Sequence, residues 1–179
     1  MIIVYCDVLS CFAKIGRLEF LKELFPKQKF SLSNSVYREL LDAREKGYDF
    51  PDLIFSAVSE NHKKADEKRW ICLPVLSENE SKDFLEFKRT TSLGEGELES
   101  IAICKNRKGS ILLTNDRKAE KISMRNNIKS YNLEALLGLA VDLGMKKEEL
   151  QKIIDDIETK DNVKLLNKGD LLMRAENCE

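Results

Sequence analysis

The sequence predicts an α/β fold, a three-layer sandwich in which helices flank a central, mainly parallel sheet of about five strands. Short apolar runs alternate with helical patterns about five times along the chain, which indicates a parallel sheet covered on both faces. The first run, residues 1–6, is continuously apolar, as in a strand buried on both faces. With 179 residues, 42% of them apolar, we expect one domain over residues 1–160 and a tail over 161–179.

The first half of the chain carries strand and helix signals in turn. Apolar residues at nearly helical spacing predict a helix over 9–25, which Pro26 ends. A short strand is expected over 30–33, followed by a helix over 34–47 that closes at a glycine. A further helix over 52–68 starts behind a proline, a residue that suits the first helical turn.

The second half continues the same alternation. Residues 70–76 are predicted to be a strand near the sheet edge, because Pro74 cannot donate a hydrogen bond to a neighbouring strand. Apolar stripes and glycines at helix ends predict the remaining helices and strands. These are helices over 78–89 and from Gly94 to 108, a strand over 110–114, a helix over 116–124, a strand over 127–131, and helices over 133–143 and 147–157.

Composition excludes several classes of function. Thirty basic and 31 acidic residues give a net charge of −1, so the chain lacks the strongly basic field of a dedicated nucleic-acid binder. The only histidine, His62, lies in a polar run, which argues against Ser-His-Asp catalysis and His-rich zinc sites. Five cysteines without a CxxC pair favour reduced thiols. No signal peptide or membrane span is predicted, and we expect a cytoplasmic protein.

Four carboxylates stand where such a fold places ligands. Asp7 and Asp116 follow apolar runs, so each is expected at the carboxyl end of a strand. Glu39 and Glu97 are expected in early turns of helices. Taken singly, each has another explanation: Asp116 as a helix cap, and Glu39 as a packed stem with a solvated head. Together they predict one acidic crevice.

The run Gly94–Ser100 contains three glutamates. Acidic residues are favoured in a first helical turn, which explains much of this cluster without any site. On a helical wheel, Glu97 shares a face with Ile101 and Cys104, whereas Glu99 points away from the apolar residues. We therefore predict that Glu97 faces inward and that Glu99 faces solvent.

Clustered carboxylates raise one another's pKa unless a cation neutralises them. Ligands that are all oxygen suit Mg²⁺ or Mn²⁺, which activate water and stabilise charge on a phosphodiester. Nearby basic residues either hold a nucleic-acid backbone or are solvated helix faces. They are Arg117, Lys118 and Lys121 on one helix and Lys105, Arg107 and Lys108 on another.

Four motifs, in order, resemble the PIN-domain nucleases over roughly residues 1–160. The segment 9–18 is similar to the PIN segment after the first catalytic Asp, and 36–40 (VYREL) to the family's V-x-x-E-L. Residues 96–102 (GELESIA) and 113–116 (LTND) are similar to G-E-x-E-x-I-A and L-T-x-D. Residues 139–150 look like the C-terminal helices of one PIN subfamily.

The resemblance implies metal-dependent RNA cleavage, often by the toxin of a toxin–antitoxin pair, with Asp7, Glu39, Glu97 and Asp116 as the metal and catalytic residues. The implied partners are RNA, a small antitoxin protein and a second copy of the chain in a homodimer.

The first motif departs from the family pattern. Aligned without gaps, the family's first Asp falls on Tyr5, and the carboxylate stands two residues later, at Asp7. Asp7 then either still ligates the metal or leaves a weakened site, so the alternative function is a degenerate PIN domain that binds RNA or protein without cutting. A receiver-like phosphoacceptor fits less well, because no Asp stands near the strand that ends at Leu76.

Overall fold

A computed structural model describes residues 1–59 and 68–177. Within these ranges the chain forms a six-stranded sheet in the order β3-β4-β2-β1-β5-β6, and all five strand pairings are parallel. The strands are β1 (Ile2–Val4), β2 (Phe30–Ser31), β3 (Val58–Ser59), β4 (Ile71–Cys72), β5 (Ile111–Leu113) and β6 (Lys129–Tyr131). The predicted α/β class with a parallel sheet is confirmed.

The described helices cover both faces of this sheet. They are α1 (Cys6–Lys14), α2 (Phe20–Leu24), α3 (Asn34–Glu45), α4 (Phe50–Ala57), α5 (Glu78–Thr90), α6 (Glu95–Asn106), α7 (Arg117–Arg125), α8 (Leu133–Asp142), α9 (Lys147–Asp156) and α10 (Lys168–Asn177). A short π-helical segment, Ile157–Asp161, continues α9. No helix in the two described ranges is both long and apolar enough to cross a membrane.

Alternating side chains of the central strands produce the three layers. Ile2 and Val4 of β1 belong to one apolar cluster, which includes buried residues of α1, α3, α8, α9 and α10. Ile3, between them, belongs to a second cluster, which buries α6 and parts of α5 and α7. Because successive side chains of a strand point to opposite faces, β1 is covered by helices on both sides.

Two boundaries near the amino terminus differ from the prediction. The first strand ends at Val4, and α1 begins at Cys6, so Asp7 lies in the first turn of a helix and not at the end of a strand. The helix predicted over 9–25 is divided into α1 and α2. Gly16 lies between them with a φ of +69°, a backbone conformation that ends a right-handed helix and favours glycine.

The region around residues 50–76 also differs. The predicted helix over 52–68 ends at Ala57, where the chain enters the edge strand β3; the rest of that segment, with His62, lies partly outside the described residues. The strand of residues 70–76 is reduced to β4, which lies between β3 and β2 and not at the edge. The four described cysteines are free thiols, and Cys178 lies beyond the described residues.

Candidate active site

The carboxyl ends of β1 and β5 form the floor of the candidate site. The two strands are neighbours in the sheet, and Tyr5 donates its backbone N–H to the Leu113 carbonyl at 2.9 Å. The chain leaves β1 towards β2 on one side, while β5 adds to the other side. Such a reversal opens a crevice beyond the strand ends, which is where α/β sheets bind ligands.

Asp7 ties the two strand ends together. Its Oδ2 accepts hydrogen bonds from the Asn115 N–H at 2.7 Å and from the Thr114 hydroxyl at 3.3 Å, and its Oδ1 accepts from the Val8 N–H at 2.6 Å. Burial raises the pKa of Asp7 to about 6, although these hydrogen bonds oppose the shift. Both oxygens of this carboxylate are therefore engaged by the protein itself.

Asp116 is both a cap and a member of the acidic group. Its Oδ1 accepts hydrogen bonds from the Lys118 and Ala119 N–H groups at 2.7 and 2.8 Å, which caps α7. Its own N–H donates to the Thr114 hydroxyl oxygen at 3.2 Å. Thr114 thus bridges Asp7 and Asp116. Asp116 fits both interpretations that the sequence allowed, because it follows β5 and also caps α7.

Glu39 reaches from α3 to the start of α6. Its Oε1 accepts a hydrogen bond from the Gly96 N–H at 3.2 Å. A Cβ at position 96 would stand 2.5 Å from that oxygen and 3.0 Å from the Tyr5 ring. A larger residue at position 96 would therefore displace the Glu39 carboxylate from this hydrogen bond. Burial raises the pKa of Glu39, while the hydrogen bonds from Gly96 and from the Tyr5 side chain lower it.

Glu97 is a buried carboxylate near the start of α6. The residue is 8% exposed, and its Oε2 accepts a hydrogen bond from the Gly94 N–H at 2.7 Å. Burial is the main cause that raises its pKa to about 7, and the charges of Asp116, Glu39 and Asp7 add to the rise. The three other predicted carboxylates therefore each act electrostatically on Glu97 and make its ionisation more costly.

Glu99 does not face solvent, so its predicted orientation is wrong. The residue is 3% exposed, and its Oε2 accepts a hydrogen bond from the Ser35 N–H at 2.7 Å, at the start of α3. A helical wheel assumes that one face is exposed, but α6 is buried without interruption from Gly96 to Cys104. Glu99 is therefore a buried link between α6 and α3.

Tyr5 also lies next to these carboxylates, although the sequence assigns it no role in the site. Burial raises the pKa of its phenol, and the charges of Glu39 and then Glu97 raise it further. The phenol stays protonated and donates to Glu39. The gap-free alignment places Tyr5 where the family has its first Asp, and the sequence offers no other indication that Tyr5 belongs to the site.

The donor set suits a hard divalent cation in its chemistry, since all four side chains offer carboxylate oxygens. Within the described ranges, however, no three acidic, cysteine or histidine side chains stand close enough together to hold a metal ion. Cation binding therefore requires these side chains to draw closer together.

The two predicted basic groups differ in their partners. Lys105 of α6 pairs with Asp83 at 2.6 Å, and Arg107 pairs with Glu80 through its Nε at 2.6 Å. Both pairs link α6 to α5, so these two cations are engaged within the fold. The cations of α7 form no ion pair with any residue that the structure describes.

The raised pKa of Glu97 predicts a pH dependence of stability. Because the folded protein holds this proton more tightly than the unfolded chain, stability falls as pH rises from about 4.5 to about 7. The rise in pKa from 4.5 to about 7 corresponds to at most about 3.5 kcal/mol, and we expect a loss on the order of 2–3 kcal/mol because solvent partly screens this carboxylate.

Urea unfolding in EDTA at several pH values checks this. The isosteric Glu97→Gln variant should lose that part of the pH dependence. Identical pH profiles for the wild type and the variant would contradict the prediction.

A family model described as a PIN domain matches residues 1–165. Searches of curated proteins and of solved structures find no match to this chain. PIN domains are mostly metal-dependent nucleases, and their parallel sheet with flanking helices agrees with the architecture described above. With this match over most of its length, the chain belongs to the PIN-domain family.

Proposed function

We propose that this chain is a metal-dependent endoribonuclease that cleaves single-stranded or structured RNA. The observation that carries the proposal is that Asp7 and Asp116, which are bridged by Thr114 beside the carboxyl ends of β1 and β5, and Glu39 all act electrostatically on the buried Glu97. An uncompensated group of this kind favours binding of a divalent cation. The match to a family of mostly metal-dependent nucleases supports the same chemistry.

The chain's own residues have distinct roles in this proposal. Glu39, Glu97 and Asp116 would hold Mg²⁺ or Mn²⁺, and Asp7 fixes the Thr114–Asn115 turn from which Asp116 projects. When bound, such a cation activates water and offsets the charge that builds on the phosphodiester. Because the pKa of Glu97 is raised to about 7 in the absence of a cation, binding of the cation would have to displace its proton, and the affinity for the cation should fall below about pH 7.

The test is cleavage of labelled RNA, with a single strand and a hairpin as substrates, in Mn²⁺ and in EDTA. We expect cleavage with Mn²⁺ and none with EDTA. Mn²⁺ should also raise the free energy of unfolding without RNA, by about 2.7 kcal/mol at a concentration 100 times the Kd. If neither RNA is cut and Mn²⁺ leaves stability unchanged, the proposal fails.

One observation favours a second function, a degenerate PIN domain that binds RNA or protein without cutting. Tyr5 takes the place of the family's first Asp and donates its phenol to Glu39. Both Asp7 oxygens are engaged by the protein, which leaves that carboxylate less available to a cation. Binding that persists in EDTA, together with the absence of cleavage in Mn²⁺, distinguishes this function from the first.

The toxin role, the small antitoxin partner and the homodimer stay predictions that rest on the family resemblance. Co-purification of the natively expressed chain with a small protein is the measurement that tests the first two. The mass of the purified chain in solution tests the homodimer.

A further inference from the structure

A groove beside the carboxylate group is lined by three cations of one helix. Lys118, Lys121 and Arg125 of α7 are exposed and line this groove together with Ile122. Their spacing of three and four residues places them on the same face of the helix. The opposite face of α7 buries Ala119 and Ser123, so the helix is anchored while its basic face stays open.

The facing wall is the segment between α5 and α6, which is rich in hydroxyl groups. Thr90, Thr91, Ser92 and Leu93 line it, and the groove encloses about 320 Å³. The Thr91 hydroxyl oxygen is covered and has no hydrogen-bond partner among the residues that the structure describes. The Thr90 hydroxyl donates to the Glu86 carbonyl at 3.0 Å, so the exposed Ser92 and the three cations of the opposite wall are the groups that can contact phosphate oxygens.

The cations of this groove are not neutralised within the described part of the chain. Lys88, Lys105 and Arg107, on the neighbouring helices, each pair with a carboxylate. The three groove cations make no such pair with residues 1–59 or 68–177. In a chain with a net charge of −1, three adjacent unpaired cations form a local positive field that attracts anions.

Each wall of the groove begins next to a residue of the candidate active site. Lys118 follows two residues after Asp116. On the other wall, Leu93 directly precedes Gly94, whose N–H binds Glu97. From Lys118 to Arg125 the helix extends about 10 Å, at about 1.5 Å per residue. The groove therefore offers an anionic strand several contacts that begin next to the carboxylates.

We propose that this groove binds the sugar-phosphate backbone of an RNA strand beside the scissile phosphodiester. The inference rests on the proposed function for the identity of the strand as RNA and for the scissile phosphodiester, but the binding of a phosphate backbone in the groove does not depend on it. Contacts from Lys118, Lys121 and Arg125 to phosphates position the strand without reading its sequence. The carboxylates repel phosphates, and the three cations offset that repulsion and hold the strand in place.

The experiment measures binding of a labelled single-stranded RNA to the full chain in EDTA, from about 50 to 200 mM salt. The test variant is Lys118→Gln/Lys121→Gln/Arg125→Gln. The matched control, Lys27→Gln/Lys29→Gln/Lys46→Gln, removes the same charge from exposed positions away from the groove. Unfolding curves of both variants show whether each remains folded.

The expected result is a change in both affinity and salt dependence. Each lost phosphate contact lowers the slope of log K against log salt by about 0.7, so the test variant should lose about 2 in slope. Extrapolated from about 1 M to 0.1 M salt, that slope corresponds to about 100-fold weaker binding. The control should keep the wild-type slope.

The proposal is wrong if the wild type and the test variant show the same slope of log K against log salt. It is also wrong if the test and control variants lose the same affinity for RNA. The absence of any RNA binding by the wild type in EDTA would contradict it as well. Because no metal is present, the result is independent of catalysis. RNA binding that depends on the three cations, without cleavage in Mn²⁺, supports the groove and contradicts the proposed nuclease. Cleavage in Mn²⁺ together with unchanged RNA binding by the test variant supports the nuclease and contradicts the groove.

Discussion

Asp116→Asn is expected to abolish RNA cleavage while leaving the fold intact. The carboxylate caps α7 through Oδ1, and Asn is as good a cap as Asp, so the helix keeps its hydrogen bonds. Only the negative charge and the second carboxylate oxygen are lost. We expect the cleavage rate in Mn²⁺ to fall by more than about 100-fold, because even outer-shell partners of metal ligands cost about 10–100-fold.

The matched control is Glu95→Gln, which removes an exposed carboxylate from the first turn of α6, two residues from Glu97. Glu95 pairs with Lys88 on the surface, so its loss should leave cleavage within about twofold of the wild type. Unfolding curves confirm that both variants are folded. Undiminished cleavage by Asp116→Asn would mean that the observed nuclease is a contaminant or that the site lies elsewhere, and it would falsify the assignment of Asp116.

Glu99→Ala is expected to be the most destabilising of the single changes considered. It removes the acceptor of the Ser35 N–H and leaves a cavity where α6 packs against α3. An unsatisfied buried N–H costs about 1–3 kcal/mol, and the cavity adds to this cost. We therefore expect about 3 kcal/mol of lost stability, measured by urea unfolding.

Two further variants make this result specific. Glu99→Gln keeps an acceptor oxygen of nearly the same shape, so it should lose less than half as much stability as Glu99→Ala. Glu86→Ala, at an exposed position of α5, should change stability by no more than about 0.5 kcal/mol. If Glu99→Ala matches Glu86→Ala, the buried link between α6 and α3 is not a stabilising contact.

The order of the elements could be predicted from local signals. Apolar runs at β1 and β5, helical spacing in α8 and α9, and closing glycines are each properties of a few neighbouring residues. Such signals are sufficient because burial on both faces demands continuous apolar strands. The edge strand β3 was missed because it has only two residues and directly follows α4. A segment so short carries no periodicity of its own.

The candidate site was only partly predictable. The sequence marks Glu97 and Asp116 as carboxylates at the start of helices and Glu39 as a carboxylate beside an apolar stripe. In the structure, the charges of Glu39 and Asp116 both act on Glu97, while their joint role as a metal site stays a prediction. Asp7 was assigned to a strand end, but the chain turns into α1 one residue earlier, at Cys6. The hydrogen bonds that Asp7 then accepts come from Thr114 and Asn115, which are more than 100 residues away in the sequence and carry no local signal.

By itself, then, the sequence determined the fold class and the family, since both follow from local composition and spacing. Only the tertiary structure decided which carboxylates are engaged by the protein and which cations are unpaired. Glu99 is buried because α3 covers a helix face that a wheel assigns to solvent. Lys105 and Arg107 are neutralised because α5 lies beside them, whereas the basic face of α7 borders an open groove.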